Sequence, residues 1–157
     1  MRKTFVMGSV LLLVCILSGC INTNENTVLL GDKPPKMTIE VKGEEYNSQL
    51  GSYCWNLSES RTECLEIMVP LENGQRIAAS VDEEISLTFK SAPAPDKAYL
   101  IQNPYDDVIE VKLNENQFTA PDEKGVYYYV YSVEWLNKDE EKDSNGSVDY
   151  GFILDVK

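Results

Sequence analysis

Two long segments near the C-terminal end carry an apolar side chain at every second residue, and this leaves the chain little choice of fold class. In Val126 to Leu136 the repeat is Tyr127, Tyr129, Tyr131, Val133 and Trp135. In Val148 to Val156 it is Val148, Tyr150, Phe152, Leu154 and Val156. A period of two belongs to an extended strand, whose successive side chains point to opposite faces. A helix scatters either set around its circumference. Between the segments, Asn137 to Ser147 is polar throughout. The pair therefore reads as a β-hairpin with a long acidic tip.

Shorter runs repeat the signal. Met37 to Val41 alternates and stops at Gly43, and Glu66 to Val69 ends at Pro70. Ile85, Leu87 and Phe89 alternate with polar residues and stop at Ala92-Pro93-Ala94-Pro95. Tyr99 to Gln102, Val108 to Leu113 and Gln117 to Thr119 are separated by turn residues, Asn103-Pro104 and Asn114-Glu115-Asn116. Only Leu57 to Glu66 leaves room for a helical turn. About eight short strands spaced by turns imply an all-β protein, and an antiparallel immunoglobulin-like β-sandwich of about 7–9 strands is expected over residues 37–157. The composition, 43% hydrophobic and 10% aromatic, supplies a core for it. The tyrosine stripe reads as cross-strand packing in that core.

The other end of the chain carries an address. Arg2 and Lys3 precede an apolar run from Phe5 to Leu17. The run is shorter than the roughly 20 residues that span a bilayer, so a targeting peptide over residues 1–19 is expected. Leu17-Ser18-Gly19-Cys20 resembles the bacterial lipobox, which implies cleavage before Cys20 and a diacylglycerol on its sulfur. Two acyl chains anchor stably where one is marginal. Residues 20–36 then form a lipidated cysteine and tether, stiffened by Pro34-Pro35; an edge strand at Val28 to Leu30 stays open. Losing residues 1–19, with two cations and no acid, moves the net charge from −12 to −14. Such a body is repelled by anionic lipids. The expected location is the outer face of the cell membrane, with the lipid as the membrane contact.

Of the four cysteines, Cys15 leaves with the peptide and Cys20 takes the lipid. Cys54 and Cys64 remain, an even pair in an oxidising compartment, and read as one disulfide. Two thiols without histidine do not complete a zinc site, and the spacing is not Cys-x-x-Cys. Trp55 reads as a hydrophobic plug on that disulfide. The motif Gly51-Ser52-Tyr53-Cys54-Trp55, the later cysteine, and Gly125-Val126-Tyr127-Tyr128-Tyr129 followed by Trp135 resemble small uncharacterised lipoproteins and surface proteins of Bacillus-type Gram-positive bacteria. The resemblance implies location and fold, and no activity.

The chemistry is bounded mostly from the negative side. With no histidine, catalytic arrangements of the Ser-His-Asp or Cys-His type do not arise. A net charge of −12 argues against nucleic acid as a partner. No cofactor motif occurs, and carboxylate pairs such as Asp106-Asp107 read as solvated charges, so no enzyme activity is expected. Glu141, Asp143, Asn145 and Asp149 follow the spacing of a calcium loop around Gly146, but Phe152 stands where the bidentate Glu belongs. A solvated hairpin tip is the favoured reading there.

Two functional classes follow: a membrane-anchored, non-catalytic interaction module for an extracytoplasmic protein or cell-wall partner, and an inhibitor or immunity-type lipoprotein against a secreted protease or toxin. For the second, the Gly-x-Tyr strand followed by Trp loosely resembles the intracellular proteinase inhibitor of bacilli. The loops Lys138 to Gly146 and Asn56 to Glu63 are the expected contact surfaces.

Overall fold

The long C-terminal hairpin is the centre of the molecule. The computed structural model describes residues 33–58, 61–67, 71, 74–136 and 144–157. Among these the chain forms eleven strands and no α-helix: β1 (Met37–Val41), β2 (Glu44–Asn47), β3 (Gln49–Ser58), β4 (Arg61–Leu65), β5 (Arg76–Ala79), β6 (Glu84–Phe89), β7 (Lys97–Gln102), β8 (Ile109–Val111), β9 (Gln117–Thr119), β10 (Gly125–Leu136) and β11 (Ser144–Val156). Two sheets pack as a sandwich. The smaller runs β2-β1-β6-β9, and the larger β4-β3-β11-β10-β7-β8.

β10 and β11 pair along their whole length, from Gly125↔Val156 to Leu136↔Ser144. The other edge of β11 is shared. β3 pairs antiparallel with Gly146 to Gly151, and β5 pairs parallel with Ile153 to Val156. The parallel strand is the departure from the antiparallel expectation. It follows from the length of β11, which outruns β3 and would otherwise expose unpaired backbone groups at its end.

Alternation places the core as expected. Tyr129, Tyr131, Val133 and Trp135 of β10 are buried, and so are Tyr150, Phe152, Leu154 and Val156 of β11. Across the sandwich, Met37, Ile39 and Val41 of β1, Ile85 and Leu87 of β6, and Phe118 of β9 complete the same cluster. Aromatic rings knit it together. Tyr129 stacks on Phe152 at 5.0 Å, and Trp135 meets Phe89 and Trp55 edge-on at 5.4 and 5.5 Å. Such pairs add about 0.5–1.5 kcal/mol each beyond burial. The buried hydroxyls are paired: Tyr129 donates to Gln102 Oε1 at 2.9 Å and Tyr150 to the Pro35 carbonyl at 2.6 Å.

Four strands lay outside the sequence expectation. β2, Glu44-Glu45-Tyr46-Asn47, is polar, and its place is set by the turn before it. Lys42 and Gly43 both have positive φ (54° and 78°), the geometry of a two-residue hairpin turn matched to strand twist. β3 carries Tyr53, Trp55 and Leu57 at period two. β5 is too short to show a period. Leu57 to Glu66, which left room for a helical turn, instead carries the end of β3 and β4, paired antiparallel; of the strand expected at Glu66 to Val69, Glu66 and Ile67 follow β4 outside any strand, and residues 59–60 and 68–70 lie outside the described residues.

The larger sheet is not bare on its outer side. Leu71, with no exposed surface, packs on Ile153 there, beside Val126, Tyr128 and Val130. β11 is therefore buried on both faces from Tyr150 to Leu154.

Candidate functional site

The disulfide forms as expected between Cys54 and Cys64, which face each other directly across β3 and β4. Both cysteines are solvent-exposed, and β4 is exposed along its whole length. The bridge staples an edge strand that has little burial of its own. Trp55 is not its plug. As the next residue on the strand it points to the opposite face, into the core. Its ring covers Gly146 so closely that a Cβ there would sit 2.4 Å from Cε3. The glycine leaves the space that the indole fills.

The expected recognition loops divide. Asn56 to Glu63 lies largely within the β3–β4 hairpin. Asn56 Nδ2 donates to the Ser144 carbonyl at 2.8 Å, and Thr62 donates to Asn56 Oδ1 at 2.6 Å. Of the acidic tip, Lys138 to Asp143 lie outside the described residues, while Ser144 to Gly146 belong to β11.

The four calcium candidates fare likewise. Glu141 and Asp143 lie outside the described residues. Asn145 and Asp149 stand on one extended strand, roughly 13 Å apart. Asn145 donates to the Leu136 carbonyl at 3.1 Å, and Asp149 accepts from Ser132 Oγ at 2.6 Å. A loop that wraps an ion brings its oxygens to within about 2.6 Å of one point, and a strand does not. Among the described residues no three His, Cys, Asp or Glu side chains are grouped to hold a metal. Cys20 lies outside the described residues.

Of the segment expected to be a tether, residues 33–36 are described. Pro35 is buried, and its carbonyl accepts the Tyr150 hydroxyl. Residues 35 and 36 therefore lead into β1 from a point held against the sandwich.

A concave surface that sequence reasoning missed lies on the outer face of the larger sheet. A groove of about 360 Å³ is lined by Asn103, Tyr105, Asp106, Asp107, Val126 and Tyr128. Its wall is the turn after β7. Asn103 adopts φ +53°, donates its N–H to the Tyr128 carbonyl at 2.7 Å, and accepts from the Asp106 N–H at 3.2 Å. Pro104, at the second position of that turn, presets its backbone angle. The floor comes from the even-numbered residues of β10. Tyr105, Val108 and Ile109 around it are exposed, Val108 to 61%. The signal was present in the sequence as an Asn-Pro turn followed by paired acids, and it reads as a solvated turn until β10 is placed beneath it.

Comparison with protein-family models, characterised proteins and solved structures finds no match to this chain.

Proposed function

We propose that the chain is a lipid-anchored extracytoplasmic binding module without catalytic activity. The observation that carries this reading is the order of parts along the chain: Leu17-Ser18-Gly19-Cys20, a polar spacer, then a β-sandwich that starts at Met37. Acyl chains on Cys20 hold the sandwich at the membrane, and the spacer sets its distance from it. Burial of Pro35 supports an attachment point close to the start of β1. The sandwich is a rigid scaffold, and recognition on such scaffolds falls to loops and exposed sheet faces.

Metabolic labelling with a palmitate analogue, followed by membrane fractionation, tests the anchor. The wild-type chain takes up label and sediments with membranes, while Cys20→Ser takes up none and is unprocessed or found in the medium. Equal labelling of the two refutes the reading. Turnover of a peptide or glycan substrate by the purified chain refutes its non-catalytic half.

A further inference from the structure

The groove beside β10 brings aromatic rings, carboxylates and apolar surface together. Two aromatic rings, Tyr105 and Tyr128, line it together with two carboxylates, Asp106 and Asp107, over the apolar surface of Val126. Neither carboxylate forms an ion pair with another described residue. Asp155, paired with Val126 across β10 and β11, adds a third carboxylate to the same face, already engaged by Lys157 at 3.3 Å. The wall is held in place by one backbone hydrogen bond that closes the turn, a second that ties it to β10, and a proline.

We propose that this groove seats a lysine or arginine side chain from a basic segment of an extracytoplasmic protein partner. The proposal rests on the reading of the chain as a binding module, and names what the module binds. Each part of a long cationic side chain finds its complement here. Its methylene stem lies on Val126 and the tyrosine rings. Its charged head meets the ring faces, an attraction of about 0.5–1 kcal/mol at an exposed site, and the free carboxylates. The volume exceeds one side chain and leaves room for the flanking peptide backbone. An anionic ligand meets two uncompensated carboxylates on a chain of net charge −12 and is repelled. The preformed turn lowers the ordering cost of binding.

The test uses the full chain in detergent micelles and two capped probes, acetyl-Gly-Arg-Gly-amide and acetyl-Gly-Gln-Gly-amide, followed by amide NMR shifts. The arginine probe is expected to move Asn103, Tyr105, Asp106, Asp107, Val126 and Tyr128 together, and the glutamine probe to move none of them. D106N/D107N should weaken the arginine probe about tenfold and Y105L about threefold, the sizes expected for two lost charge contacts and one lost cation–π contact. E84Q/E115Q, which removes two exposed carboxylates, one on β6 and one in the turn before β9, controls for bulk charge and should change binding less than about twofold. Glucosamine, as an amino-sugar probe, should leave the groove unmoved. Equal weakening by both acidic doubles, shifts centred elsewhere, binding of the glutamine probe, or saturation by glucosamine overturns the proposal. Palmitate labelling is read separately, so failure of the groove leaves the anchor standing, and failure of the anchor leaves the groove to be judged on its own.

Discussion

Strand β10 has two faces, and they do different work. Tyr129, Tyr131, Val133 and Trp135 point between the sheets, where surface is removed from water and the hydroxyls of Tyr129 and Tyr150 have partners. Val126, Tyr128 and Val130 point outward, where Leu71 covers part of the surface and the groove opens beside it. From Val126 to Val130 both faces are apolar, while further along the outer face carries Ser132 and Glu134. Among the described residues, what separates them is completeness of cover: a fully covered face yields stability, and a partly covered one leaves contact area for a partner.

The covered face should fail first at high pH. Burial pushes the Tyr131 hydroxyl up to about 12, and those of Tyr129 and Tyr150 further up. An unfolded tyrosine titrates at about 10. Above that pH the unfolded chain releases these protons while the folded chain keeps them, so stability falls by about 1.4 kcal/mol per pH unit for each residue. The loss is absent below the unfolded value and continues until the folded value is passed. Urea unfolding at a series of alkaline pH values, with phenolate absorbance read in parallel, should show unfolding and ionisation of these three tyrosines as one event. Ionisation ahead of unfolding contradicts the burial.

Next in size is Trp135→Ala, which removes ring contacts with Trp55 and Phe89 and the donor to the Pro93 carbonyl at 3.0 Å. A loss of about 3–5 kcal/mol is expected, read from the urea midpoint. A smaller loss, about 2–3 kcal/mol, is expected for the double replacement of Cys54 and Cys64 by serine, since the closed loop is short. Its signature is local: faster amide exchange in β4, with β10 and β11 keeping their protection. Uniform loss of protection contradicts the reading of the bridge as an edge staple.

The boundary between what the sequence showed and what it hid follows the same contrast. β10 and β11 were legible because every second residue is large and apolar, a pattern that burial on one face enforces. β2 and β4 were not, because their residues are exposed and their existence depends on a turn and a disulfide rather than on side-chain burial. Ile153 falls outside the period-two set of β11, and only the position of Leu71 reveals that its face is covered. The disulfide was legible from the parity of the cysteines left once Cys15 and Cys20 are assigned to the expected targeting peptide and lipid. The direction of Trp55 required placing it beside Gly146. The groove was hidden because residues 103–107 and 126–128 are joined by strand pairing, and neither segment alone departs from an ordinary turn or strand.

Replacing one tyrosine from each face of β10 by alanine, Tyr131 in one variant and Tyr128 in the other, tests the account most directly. Urea unfolding should place Tyr131→Ala about 3–5 kcal/mol below the wild type, and Tyr128→Ala within about 1 kcal/mol of it. The arginine probe should still bind Tyr131→Ala under conditions where that variant is folded, and bind Tyr128→Ala more weakly. Equal destabilisation by the two variants, or unchanged probe binding by Tyr128→Ala, contradicts the division of the strand into a face for stability and a face for recognition.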